Sequence, residues 1–329
     1  QEGKEKNMSF TELENILKNK KIVAVFPGQA SQYKQMGINW YKSFSKFKNT
    51  IDYINQKIKQ EYQNYIESDL FEALENEEKL NLTLYSQISI FAVSVASYET
   101  FIEFMDPDQI VCLTGHSLGE YSALVCSKSL TIDQGIDLVI KRGYFMNNYS
   151  KNGTMFAVIY QFDPEKIEKL QNTVNQFNAV IANYNSYNQL IISCSYENLD
   201  NLKQKIKNQF DNCKIIPLRV SGAFHSPLVN QANEYLKNEI EKFTFLDPIK
   251  PVFLNIDSSP YTNGSQIKES MKKQMISPVK WIQTIENILE SYKKIAFIEF
   301  LPNKILTNLV RKGFNKQIEF YYLEELNIL

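Results

Sequence analysis

Ile110-Val111-Cys112-Leu113-Thr114-Gly115-His116-Ser117-Leu118-Gly119-Glu120-Tyr121-Ser122-Ala123-Leu124-Val125 decides how this chain folds. Residues 110–113 form a short apolar run of the kind that fills a buried strand. Gly115 to Gly119 match G-x-S-x-G, and residues from 120 toward 127 continue as a helix. Strand, sharp turn and helix is the setting in which a serine stands on a strained elbow with its hydroxyl free above a sheet. Working outward, residues 22–26 (Ile-Val-Ala-Val-Phe) make a second compact apolar run, closed by Pro27-Gly28. Helical patterns cover 40–67 and 86–104, the latter with Ile88, Phe91, Ala92, Val95 and Ala96 on one face. Asp106-Pro107-Asp108 breaks the chain before the elbow strand, and a further helix is expected over 132–149. Such alternation favours an α/β fold built on a parallel sheet.

Beyond Gly153 the pattern changes. Strand-like segments at 155–160, 179–183, 189–193 and 214–218 alternate with helical ones at 164–172 and 199–210. The order is βαββαβ, the split arrangement of a ferredoxin-like unit. The expected organisation is therefore a core of residues 20–150 and 221–329 carrying an insert of 151–220. Residues 1–19 form a polar lead with a short amphipathic helix. Core strands resume near 252–255 and 295–300.

Bulk properties narrow the functional classes. The 329 residues are 43% hydrophobic and 13% aromatic, enough for a substantial core. A formal net charge of −1 gives no global field for nucleic acid or an anionic membrane. Apart from Arg142, Arg219 and Arg311 every cation is lysine, which makes each arginine informative. Cys112, Cys126, Cys194 and Cys213 lack metal-ligand spacing and read as free thiols in a reducing compartment, and the chain has too few histidines for a metal site. No stretch has the apolar length of a membrane span, and no signal peptide opens the chain. Gln1 at the start, with Met8 just inside, is consistent with a trimmed N-terminus.

A serine nucleophile needs a base, and imidazole suits that task near neutral pH. His116 adjoins the nucleophile and should project away from it, in a packing or orienting role. His225, in Val220-Ser221-Gly222-Ala223-Phe224-His225-Ser226-Pro227, is the general base by elimination.

Five segments, in register over nearly the whole chain, resemble the malonyl-CoA:acyl-carrier-protein transacylases. They are Phe26-Pro27-Gly28-Gln29-Ala30-Ser31-Gln32, Gly115-His116-Ser117-Leu118-Gly119-Glu120-Tyr121-Ser122, Lys141-Arg142-Gly143, Gly222-Ala223-Phe224-His225-Ser226-Pro227 and Ser277-Pro278-Val279-Lys280-Trp281. The resemblance implies an α/β-hydrolase-like core with a ferredoxin-like insert. It implies acylation of Ser117 with His225 as base, and an oxyanion hole from the backbone N–H groups of Gln29 and Leu118. It further implies that Arg142 grips the free carboxylate of a malonyl group and that the main-chain carbonyl of Gln274 orients His225. Gln87 would line the site, and Phe224 would leave little room for an α-methyl branch. Malonyl-CoA and the phosphopantetheinyl acyl carrier protein would be substrates, with no bound cofactor or metal, no nucleic-acid or membrane partner, and a monomeric enzyme. The compartment would be a bacterial cytoplasm or, in a eukaryote, a plastid. Two departures concern turn shape. Ala30 stands where the family has glycine, and Leu301-Pro302-Asn303-Lys304 replaces a Gly-Pro-Gly-Lys turn.

The rival readings are a serine esterase or thioesterase, a transferase for another acyl-CoA such as methylmalonyl-CoA, and a silent carrier-binding scaffold. A hydrolase of that kind places its histidine near the C-terminus, whereas about a hundred residues follow His225 here. Carrier proteins of this family are acidic, so Lys272-Lys273, Lys293-Lys294 and Arg311-Lys312 are candidate docking cations. Lys203, Lys205 and Lys207 are read as a solvated helix face.

Overall fold

A computed structural model describes residues 13–326; the expected lead helix of residues 1–19 lies mostly outside them, apart from a helical turn at 13–16. β1 (Lys21–Phe26) is buried from Ile22 onward, as a strand covered on both faces must be. It pairs in parallel with β2 (Ile110–Gly115) on one side and β9 (Ile295–Glu299) on the other. β7 (Val252–Phe253) and β10 (Phe320–Tyr322) extend the parallel array, and β8 (Pro260–Tyr261) closes one edge antiparallel. The six-stranded order is β10-β9-β1-β2-β7-β8. β1 and β2 are central, so both deliver their C-terminal ends to the middle of one sheet edge. Open parallel sheets bind ligands outside that edge.

The second sheet is built from β3 (Gly153–Ile159), β4 (Val180–Ser186), β5 (Gln189–Ser195) and β6 (Lys214–Pro217). Its order, β4-β5-β3-β6, is antiparallel throughout, and helices Pro164–Asn175 and Leu199–Gln209 bury Leu170, Val174, Leu202 and Ile206 against it. This is the expected βαββαβ unit. It is stitched to the segment ahead of helix Trp281–Ser291 through Val279, which receives a hydrogen bond from Tyr184 N (2.9 Å) and donates one to Ala182 O (2.7 Å).

Helix Thr83–Phe101 is buried almost all round, the mark of a central core helix. It begins one turn earlier than the pattern at 86–104 suggests. The helix expected over 40–67 divides into Ile38–Ser43 and Ser45–Glu61, because Phe44 is extended (φ −125°, ψ 120°) between them. Helix Ile132–Asn148 starts in a Thr131/Gln134 capping box. On it Gly135, Leu138, Val139, Arg142 and Met146 are buried at spacings of three and four, so Arg142 occupies a core position.

Candidate active site

Three loops meet at the C-terminal edge of β1 and β2. The turn after β1 carries Gln29, the turn after β2 carries Ser117, and the loop after β6 leads to His225. Their contact is close. A β-carbon on Gly28 would lie 2.5 Å from His116 O, and one on Gly119 would lie 2.1 Å from Phe26 O. Only glycine lets these turns approach.

Ser117 has φ 54°, the left-handed backbone that a nucleophile elbow imposes. Asn255, just beyond β7, braces the elbow. Its Oδ1 accepts from Ser117 N (2.9 Å) and its Nδ2 donates to Gly115 O (2.8 Å). Helix Gly119–Cys126 starts directly behind, presenting the positive end of its dipole.

Ser117 Oγ lies 2.8 Å from His225 Nε2. His225 Nδ1 faces two main-chain carbonyls, Gln274 O at 3.2 Å and Ser277 O at 3.0 Å. Carbonyl oxygens only accept, so the Nδ1 atom carries the proton and Nε2 is left as the acceptor for the serine hydroxyl. The expected Gln274 carbonyl is present; the second, from Ser277, has no side-chain signature by which sequence could reveal it. His225 N also donates to Met275 O (2.8 Å), fixing the ring's backbone to the same short helix, Gln274–Ile276. Burial, then the Arg142 charge, pushes the imidazole pKa down to about 3, so the ring is neutral across the physiological range.

Arg142 is 1% exposed and its fork is held from two sides. Nη1 donates to Gln87 Oε1 (2.7 Å), and Nη2 to Gln274 Oε1 (3.1 Å) and to Ser117 Oγ (3.3 Å). Its Nε has no partner among the described residues. Gln87, expected to line the site, is fully buried and accepts from the arginine. Gln274 acts twice, since its Nε2 also donates to Ser117 O (2.8 Å) and to Glu120 Oε1 (3.1 Å). Glu120 is the carboxylate whose charge acts on this buried cation, and burial raises its pKa to about 7. Neither Glu120 nor Asn255 was singled out from sequence; both sit in ordinary helix and loop contexts.

His116 points away from the nucleophile. Its Nε2 lies 2.7 Å from Asn185 Oδ1 and its ring meets Trp281 edge-on at 5.3 Å. The backbone N–H groups of Gln29 and Leu118 make no hydrogen bond within the described residues, and Gln29 lines the same cleft as Ser117. That cleft, about 360 Å³, also includes Phe224, which is 3% exposed. Such an arrangement can acylate a hydroxyl, hold an oxyanion on two N–H groups, and offer a buried cation to a second anionic group.

Residues 23–323 match the acyl transferase domain family. The malonyl CoA-acyl carrier protein transacylase of Bacillus subtilis (strain 168) is 32% identical over 296 residues, which cover 89% of this chain and 90% of that protein. The solved malonyl CoA-acyl carrier protein transacylase of Coxiella burnetii superposes with a TM-score of 0.82 at 27% identity, covering 94% of this chain and 95% of that one. A malonyl-transacylase solved in complex with a type II PKS acyl-carrier protein gives a TM-score of 0.80 at 27% identity, covering 92% and 94%.

Proposed function

The chain belongs to the acyl transferase domain family, and from that premise we propose that it transfers malonyl from malonyl-CoA to the phosphopantetheine thiol of an acyl carrier protein. His225 Nε2 takes the Ser117 proton as Oγ attacks the thioester carbonyl. The oxyanion develops toward Gln29 N and Leu118 N, donors already in place before charge appears. Collapse breaks the C–S bond, the sulfur takes the proton back from His225, and coenzyme A leaves. In the second half the carrier thiol gives its proton to His225 and attacks the malonyl-serine. The alkoxide expelled from the second tetrahedral intermediate is reprotonated at Oγ. Both thiols are substrates, and no step as written calls on a bound cofactor. The reaction belongs wherever malonyl-CoA and the carrier are found, a bacterial cytoplasm or a plastid lumen.

The observation that carries this reading is the position of Arg142 Nη2, 3.3 Å from the nucleophilic oxygen. A buried guanidinium so close to the acyl site has no use for a neutral chain and suits a carboxylate one methylene beyond the carbonyl. Phe224, packed into the same cleft, would crowd an α-methyl branch.

The test is acyl transfer from malonyl-CoA and acetyl-CoA to holo carrier protein. Wild type transfers malonyl, and Ser117→Ala loses at least about 10³-fold. Arg142→Ala loses about 10- to 100-fold with malonyl but little with acetyl, the loss of one charge-assisted contact. Rapid release of free malonate without carrier acylation would identify a hydrolase instead.

A further inference from the structure

Arg219 is the one arginine whose place the reaction above leaves unexplained. Arg142 is buried behind the nucleophile, and Arg311 is paired with Glu325 at 2.8 Å. Arg219 is exposed and makes no ion pair or hydrogen bond among the described residues, yet it lines the cleft that holds Ser117 and His225. Its position is fixed from the backbone. The chain leaves β6 at Pro217, and Leu218 N donates to Met155 O (3.0 Å), so Arg219 follows a segment pinned to the second sheet. The cleft rim includes Gln32 and Asn81, whose side chains bond to each other at 3.0 Å. No carboxylate lines this cleft among the described residues. Its inner end therefore holds the acyl chemistry, its walls are apolar and amide, and its rim offers one unpaired guanidinium.

Both substrates of the proposed reaction share a feature that such a cleft can read. Each presents its sulfur on a pantetheine arm ending in a phosphate, extended to a nucleotide in coenzyme A and esterified to a serine in the carrier. We propose that Arg219 binds this shared phosphate, so that one cation anchors donor and acceptor in turn. The inference rests on the transferase reading given above. A guanidinium grips phosphate through two parallel N–H donors, which an ammonium cannot reproduce.

The experiment compares wild type with Arg219→Ala and Arg219→Lys on three donors: malonyl-CoA, malonyl-4′-phosphopantetheine and malonyl-pantetheine. The last lacks the phosphate. Arg219→Ala should raise KM about tenfold for the two phosphorylated donors, with kcat little changed, one solvent-facing charged contact being lost. With malonyl-pantetheine the proteins should run alike. Arg219→Lys should restore part of the loss, and added salt should shrink the difference. With the donor held saturating, KM for holo carrier should rise in step. A rise with malonyl-CoA alone would place the contact on the nucleotide and overturn the shared anchor, as would a carrier KM that stays put. An equal loss on all three donors would make Arg219 a structural residue. If wild type transfers malonyl from none of them, the transferase reading itself fails, a result separate from any effect of Arg219.

Discussion

Ser117 and His225 both hold left-handed backbone, with φ of 54° and 58°. For residues with a β-carbon this costs roughly 1 kcal/mol apiece. At these two positions the strain aims Oγ and Nε2 at each other. Ala30 adopts φ 83° as well, and there the strain has no chemical role, since only its backbone participates, donating to Gln32 Oε1 at 2.8 Å. Ala30→Gly is expected to stabilise the fold by about 0.5–1 kcal/mol, raising Tm by ~1–3 °C without changing kcat, read by thermal melting beside a transfer assay. His225 gives a second residue-scale prediction. Its folded pKa, lowered to about 3 by burial and Arg142, lies below the unfolded value near 6.5. Its contribution to stability is therefore complete above about 6.5 and is lost as pH falls toward 3. Unfolding free energies from urea titrations at pH 7, 6, 5 and 4 should fall more steeply for wild type than for His225→Asn, by up to about 1.4 kcal/mol per pH unit. Equal slopes would mean that the ring is charged in the folded state. Ser117 was legible because its motif is local, and His225 because only two histidines exist. Asn255, Glu120 and the Ser277 carbonyl were not, because their roles are contacts across more than fifty residues of chain.

Among the elements, the long apolar strands and the βαββαβ order were readable from period and punctuation. What escaped was too short or broken from within. β8 and β10 have two and three residues, below any periodicity, and the break at Phe44 lies in a segment whose side-chain pattern is helical on both sides. The Leu301-Pro302-Asn303-Lys304 turn, which stands in place of two glycines, uses no left-handed geometry: neither Leu301 nor Asn303 has positive φ. The end of β9 carries a more consequential element. Glu299 is fully buried and caps helix Ile305–Gly313 in place of a side chain from the helix itself. Its Oε2 accepts from Leu306 N (3.0 Å) and its Oε1 from Thr307 N and Oγ1 (both 2.8 Å). Glu299→Gln turns one of these acceptors into a donor facing an N–H group, at a cost of about 1–3 kcal/mol. Burial raises the Glu299 pKa to about 8, so its contribution is complete below the ordinary value of 4.5 and is lost as pH rises through 8. The gap between wild type and Glu299→Gln in a denaturant titration should thus be wider at pH 6 than at pH 9. A gap that stays the same from pH 6 to pH 9 would show the carboxylate ionised at neutrality.

At the scale of the molecule, the parallel sheet gives the surface a direction that no sequence pattern carries. Ser117 and Gln29 follow the C-terminal ends of β2 and β1. Lys293 and Lys294 precede β9, and Lys294 O bonds to Lys21 N at the start of β1, so this pair lies at the opposite edge. Two other candidates for carrier docking are already neutralised. Lys272 pairs with Glu241 and Glu269, and Arg311 with Glu325. Lys273 and Lys312 remain exposed with no ion-pair partner among the described residues, and of the two Lys273 directly precedes Gln274. An acidic carrier inserting its arm toward Ser117 must meet the C-terminal edge, where a single reversed charge acts through a few ångströms of water. Lys273→Glu should therefore raise KM for holo carrier about three- to tenfold at low salt, less at high salt, and leave KM for malonyl-CoA within about twofold. The double change Lys293→Glu, Lys294→Glu removes more positive charge yet should leave the carrier KM within about twofold. Were the double variant the more damaging one, the carrier would be responding to net charge, and the direction imposed by the sheet would not govern docking.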